Sequence, residues 1–188
     1  MLLTALVFLF AHPAVAGGLK GRVVGITDGD TLTLLTDRQE VRIRLSEIDT
    51  PERGQPYGTR ARQTLSDLAF GKLVRVVVHD TYRYGRTVGR IFAGSQDVNA
   101  EMVRRGAAWV YRRYSGDLAL LRLEQAARAE RRGLWALPEA ERVPPWEWRT
   151  IGRHGRNQDP DRRQHWPFSA MIFSSGALGR RAKRVISI

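Results

Sequence analysis

Val41-Arg42-Ile43-Arg44-Leu45-Ser46-Glu47-Ile48-Asp49-Thr50-Pro51-Glu52 reads as a strand running into a turn. Side chains of an extended chain alternate in direction, so Val41, Ile43 and Leu45 share one face and Arg42 and Arg44 the other. Asp49-Thr50-Pro51-Glu52 then sets two carboxylates in one short segment stiffened by Pro51. Guanidinium groups and carboxylates delivered together at a strand end make a place for a cation and an anion at once. A metal ion bound to a phosphodiester has that description.

Toward the N-terminus, Gly21–Ile26 is short and β-branched and reads as a strand, Asp28-Gly29 as a tight turn, and Thr31–Leu35 as the returning strand. Asp37 and Arg38 turn the chain again into Val41–Leu45, completing a meander. Toward the C-terminus, a polar loop with Gly54, Pro56 and Gly58 precedes a helix from about Thr59. Ala61, Leu65, Leu68 and Ala69 mark its apolar face and Gly71 ends it. Leu73–Val78 and Thr87–Phe92 are two further strands flanking a loop at Tyr82–Arg86.

Asn99 is placed as the N-cap of a short helix that Gly106 terminates. Ala107–Tyr111 reads as extended, and Asp117 opens a last helix closed by Gly133. Trp135, Trp146 and Trp148 pack the end, and Pro144-Pro145 reads as a boundary. The predicted architecture is α+β: a five-stranded OB-type barrel with three helices.

Composition narrows the chemistry. The chain has no cysteine, which excludes a disulfide framework and a thiolate metal site. His12, His79, His154 and His165 are scattered without ligand spacing, which argues against zinc. The net charge of +12 favours a polyanionic partner, but residues 151–188 hold eight Arg/Lys against two Asp, half of that charge. The folded part is only moderately basic.

Three segments are expected. Residues 1–16 read as a secretory signal peptide, from the apolar run Leu2–Phe10 and the small residues Ala14-Val15-Ala16, which predicts a secreted or periplasmic protein. A short anchor or a buried N-terminal element is the alternative, and no other stretch is a transmembrane candidate. Residues 17–150 form the folded domain, and 151–188 read as a basic, disordered tail.

The polar residues beside the turns form a recognisable set. Ile26-Thr27-Asp28-Gly29-Asp30-Thr31, Arg44-Leu45-Ser46-Glu47-Ile48-Asp49-Thr50-Pro51-Glu52 and Tyr84-Gly85-Arg86 occur in that order, followed by Val98-Asn99, Val103-Arg104-Arg105-Gly106 and Gly133-Leu134-Trp135. From about Gly21 to Trp135 the chain resembles the thermonuclease (staphylococcal nuclease-like) family. The resemblance implies a calcium-dependent phosphodiesterase that cuts DNA and RNA, with single-stranded or unpaired regions preferred, leaves 3′-phosphate ends and needs no obligate protein partner. It implies Asp30, Asp49 and the Thr50 carbonyl as calcium ligands, Glu52 as the base or orienter of the attacking water, and Arg44 and Arg86 as phosphate-gripping groups.

Tyr84, Tyr111 and Tyr114 are candidates for stacking on bases or, alternatively, for packing the barrel. At Tyr111-Arg112-Arg113-Tyr114 the match to the family's substrate-holding tyrosine is displaced, with Arg112 near that position. Asp28 is read as a turn residue, Arg42 as solvated, and Glu47 as surface or structural. A noncatalytic nucleic-acid-binding module on the same fold is the competing reading. The presence together of Asp30, Arg44, Asp49, Glu52 and Arg86 argues against it.

Overall fold

The computed structural model describes residues 18–81 and 87–157. The expected signal peptide, the Tyr84-Gly85-Arg86 motif and the tail from residue 158 onward lie outside the described residues. By its internal contacts the chain divides into Met1–Ile151 and Gly152–Ile188.

Strands β1 (Leu19–Ile26), β2 (Thr31–Leu35) and β3 (Glu40–Leu45) form the expected meander. β4 (Ile48–Asp49) follows at once, then α1 (Gly58–Ala69), β5 (Leu73–Thr81) and β6 (Thr87–Ala93). β5 pairs antiparallel with both β1 and β6, and β6 runs parallel to β3. That last pairing closes a five-stranded barrel of OB type. The period-two pattern explains which residues go inside: Val23, Leu32, Leu34, Ile43, Leu45, Val74, Val76 and Ile91 are all buried.

β7 (Gln96–Asp97) leads into α2 (Val98–Arg104). β8 (Trp109–Val110), α3 (Leu118–Ala129) and α4 (Pro145–Asn157) complete the described chain. α1 turns Ala61, Leu65, Leu68 and Ala69 into the core, as their spacing predicts, and Gly71 leaves the helix at φ +73°. Val98, Met102 and Val103 of α2 and Leu120 of α3 join the same core. Trp109, Ala127, Leu134 and Trp135 form a smaller cluster against which Trp146 packs.

Several local expectations are revised. Asn99 is not the cap of α2: Asp97 is, its carboxylate accepting the Ala100 amide at 3.0 Å. Asn99 is fully buried, accepts the Ile91 amide at 3.0 Å and donates to the Ser46 carbonyl at 2.9 Å. Its amide can serve a backbone donor and a backbone acceptor where no ladder reaches. Asp49 belongs to a two-residue strand, not to the turn, and pairs with Trp109 of β8. A strand this short carries no readable period. Pro144-Pro145 marks a helix start, since Pro145 is the first residue of α4 and proline suits that position. α4 is thus a fourth helix beyond the three expected, and its backbone stays helical through Asn157, past the expected start of the tail.

Candidate active site

Register builds the centre of the site. Arg44 lies opposite Thr31 on β2 and opposite Val88 on β6, so it stands at the seam that closes the barrel. The Leu45 amide donates to the Asp30 carbonyl at 2.8 Å, which fixes Asp30 beside Arg44. Asp28 accepts the Asp30 amide at 3.2 Å, the turn role read from its sequence. Glu47 makes the sharp corner between β3 and β4 at φ +66°. Its carbonyl accepts the Tyr111 amide, and its carboxylate accepts from Ser115 and lies 3.4 Å from Arg90. The structural reading of Glu47 is the observed one.

From this corner Asp49 returns to Arg44. One guanidinium spans both acids: Nη1 donates to Asp30 Oδ1 at 3.1 Å and Nη2 to Asp49 Oδ1 at 2.9 Å. Asp30 and Asp49 are 3% and 1% exposed, so they form the floor of the site. Burial pushes the Asp30 carboxyl up to about 7, against the pull of Arg44 and with the repulsion of Asp28 and Asp49 adding to it. Burial also disfavours the Arg44 charge, but Asp30 and Asp49 outweigh it and hold its pKa above the ordinary guanidinium value.

The neighbouring loop is pinned by close contacts. A Cβ on Gly29 would stand 2.6 Å from Thr50 Oγ1, and one on Gly58 would stand 2.0 Å from the Glu52 carbonyl, so only glycine fits at either place. Thr50 is itself buried. Gln55, also buried, accepts the Glu52 amide at 3.0 Å and donates to the Val143 carbonyl. The loop is thereby joined to the segment that precedes α4.

Arg149 of α4 reaches the same acids. Its Nη2 donates to Asp49 Oδ2 at 2.6 Å, and its Nη1 donates to Glu52 Oε1 at 2.7 Å and to Asp49 Oδ1 at 3.3 Å. Its pKa is raised, first by the hydrogen bond it donates to Asp49, with burial opposing and Glu52 adding. Sequence reading missed Arg149 and Gln55. The available signal was Trp146 and Arg149 at helical spacing of three, after a proline able to start a helix.

Beside the acids lies a cleft of about 690 Å³ with Arg44, Glu52, Tyr111, Tyr114 and Arg149 on its walls, while Asp30 and Asp49 lie behind their arginine partners and do not line it. Tyr111 stacks on Trp146 with ring centroids 5.2 Å apart and planes 3° from parallel, so packing covers one of its faces. Tyr114 meets Tyr111 edge-on and is 59% exposed, which leaves it the better placed of the two for a base. Arg112 turns away to pair with buried Glu124 at 2.6 Å. The structure therefore assembles Asp30, Arg44, Asp49, Thr50, Glu52, Tyr111 and Tyr114, while Tyr84 and Arg86 lie outside the described residues.

The donor set suits a hard divalent cation. Burial is the main cause of the raised Asp30 pKa, with repulsion from Asp28 and Asp49 adding to it, and a divalent cation bound to the two carboxylates would offset both. Among the described residues no three acidic or histidine side chains converge on one point, so water and phosphate oxygens would have to complete the coordination.

Residues 42–137 match the family model described as staphylococcal nuclease homologue. The chain is 45% identical over 163 residues to Protein ParB of Escherichia coli, covering 81% of this chain and 90% of the relative. It is 42% identical over 164 residues to micrococcal nuclease of Shigella flexneri, covering 81% and 92%. An uncharacterized endonuclease of Escherichia coli O157:H7 is 44% identical over 143 residues, covering 76% and 92%. The chain is a member of the staphylococcal nuclease family, and its α4 extends the site beyond the region that the family model matches.

Proposed function

We propose that this protein is an exported, calcium-dependent endonuclease that hydrolyses DNA and RNA, with single-stranded or unpaired regions preferred, and leaves 3′-phosphate ends. The observation that carries the reading is the single Arg44 guanidinium joining buried Asp30 to buried Asp49, with Glu52 beside them at the edge of the cleft. Relatives named as nucleases and endonucleases support it. Export rests on the N-terminal sequence, and no described helix is long and apolar enough to cross a membrane.

Calcium held by Asp30, Asp49 and the Thr50 carbonyl would polarise a phosphoryl oxygen and favour a hydroxide-like nucleophile. The residues of the chain supply the rest. Glu52, with its side chain 39% exposed, faces the cleft and takes a proton from the attacking water. Arg44 is held rigid by its two carboxylates and is 24% exposed, so it can present N–H groups to a phosphate oxygen as negative charge builds there. Arg86 is assigned the same task by resemblance. Tyr114 offers an exposed ring on which an unpaired base can stack. Water oxygen bonds to phosphorus, the bond to the 5′ oxygen breaks, that oxygen takes a proton from solvent, and the products are a 3′-phosphate and a 5′-hydroxyl.

The test is a nuclease assay of the full chain on single- and double-stranded DNA and on RNA, with a metal series and a chelator. Hydrolysis is expected with calcium and none with chelator, and intact single-stranded DNA in calcium would sink the reading. Glu52→Gln should lose on the order of 10²–10⁴ in turnover while still binding single-stranded DNA. A noncatalytic binding module would be indifferent to that change in both assays.

A further inference from the structure

α4 lies beyond the matched family region, yet it places a charged group on the acids of the site. Trp146 and Arg149 share one face of this helix, being three residues apart. Trp146 is docked by its stack on Tyr111 and by an edge contact to Trp109 at 6.0 Å. The Gln55 bond to Val143 ties down the approach to the helix. Arg149 is therefore aimed by packing and is not a loose surface side chain.

Its contacts have a specific consequence. Asp49 Oδ2 accepts from Arg149, and Asp49 Oδ1 accepts from Arg149 and Arg44. With Asp49 1% exposed, these guanidinium groups lie over both of its oxygens. Arg44 takes one oxygen of each acid, whereas Arg149 alone takes Asp49 Oδ2, so a divalent cation at that oxygen and the Arg149 guanidinium would repel each other at short range. Carboxylate oxygens that coordinate a metal ion also have fewer lone pairs left for a bidentate arginine.

We propose that Arg149 is an internal counter-cation that a divalent metal ion displaces from Asp49, so that α4 sets the metal affinity of the site. The proposal rests on the reading of Asp30, Asp49 and Thr50 as metal ligands. Arg149 neutralises Asp49 and Glu52 when no metal is bound and moves toward the cleft when metal takes Asp49. Metal occupancy and the Arg149–Asp49 pair are mutually exclusive.

The test is calorimetric titration of the full chain with calcium, and separately with manganese, without nucleic acid. Wild type is compared with Arg149→Gln and Arg149→Lys, each checked for folding by circular dichroism in chelator. Arg149→Gln should bind calcium tighter, on the order of tenfold, because the competing cation is gone. Arg149→Lys should fall between the two, since one ammonium cannot span both acids as the fork does. It also serves as the readout if Arg149→Gln fails to fold. Unchanged or weaker binding in the variants, with wild type binding metal, overturns the role of Arg149 alone. If neither wild type nor variants bind either metal, the metal-site reading falls and this inference falls with it.

Discussion

The two halves of the site are held in different ways. Arg44 sits on β3, paired to β2 and β6; Asp49 sits on β4, paired to β8; and Asp30, in the turn just before β2, is fixed by the Leu45 amide donating to its carbonyl. Arg149 and Trp146 sit on α4, which the site reaches through a ring stack, an arginine fork and one glutamine. A ladder places a backbone whatever the side chains do, whereas α4 depends on a few side chains for its position. The barrel half is expected to be rigid and the α4 half adjustable, which is the property a displaceable counter-ion needs.

Breaking the barrel half should have the largest effect. Arg44→Ala leaves two buried carboxylates without their shared partner, so it should destabilise the fold by about 3–5 kcal/mol in chelator. The same change should lower turnover by about 10²–10³. Chemical denaturation and steady-state kinetics read the two losses. Arg44→Lys should restore little of either, because one ammonium cannot meet two acids in the fork's geometry.

Asp30 gives the comparison a pH dependence. Its carboxyl is raised from 3.8 to about 7, so between those values the folded chain binds more protons than the unfolded one. Its contribution to stability is therefore fully present below about pH 4 and is lost as pH rises toward 7, by a few kcal/mol. In chelator, the difference in unfolding free energy between wild type and Asp30→Asn should change across this window, with the variant gaining relative to wild type as pH rises. A pH-independent difference would count against the buried, repelled state of Asp30.

Trp146→Ala should separate the halves. Losing its contacts with Tyr111 and Trp109 should cost on the order of 1–3 kcal/mol. Hydrogen exchange should quicken in α4 and leave β1, β2 and β5 unchanged. Equal quickening in the barrel would show that the halves are one cooperative unit. Gln55→Ala should have the smallest effect, about 1 kcal/mol in thermal or chemical denaturation, by freeing the Glu52 loop from the segment before α4.

Legibility in the sequence followed the range of the interactions. The meander and α1 were readable because period-two and helical patterns are local, and the strands fell within a few residues of their expected bounds. β4 and β8 were not, since two residues carry no period and each strand is defined by its partner. Asn99 looked like a cap by type and position, but its amide instead joins Ile91 to Ser46 across the core. Arg149 left almost no local trace, because Asp49 is 100 residues away along the chain.

By itself, the sequence determined the barrel strands, their inward faces and the identities of the acids and of the arginine that the structure brings together. Those follow from alternation, turn chemistry and ordered motifs, all expressed over a few neighbouring residues. Only the tertiary structure decided that one guanidinium joins Asp30 to Asp49, that Glu47 turns the corner between β3 and β4, and that α4 returns Arg149 to the site. Each depends on closing the β3–β6 seam or docking α4, and such long-range pairings arise from packing and burial that no local pattern encodes.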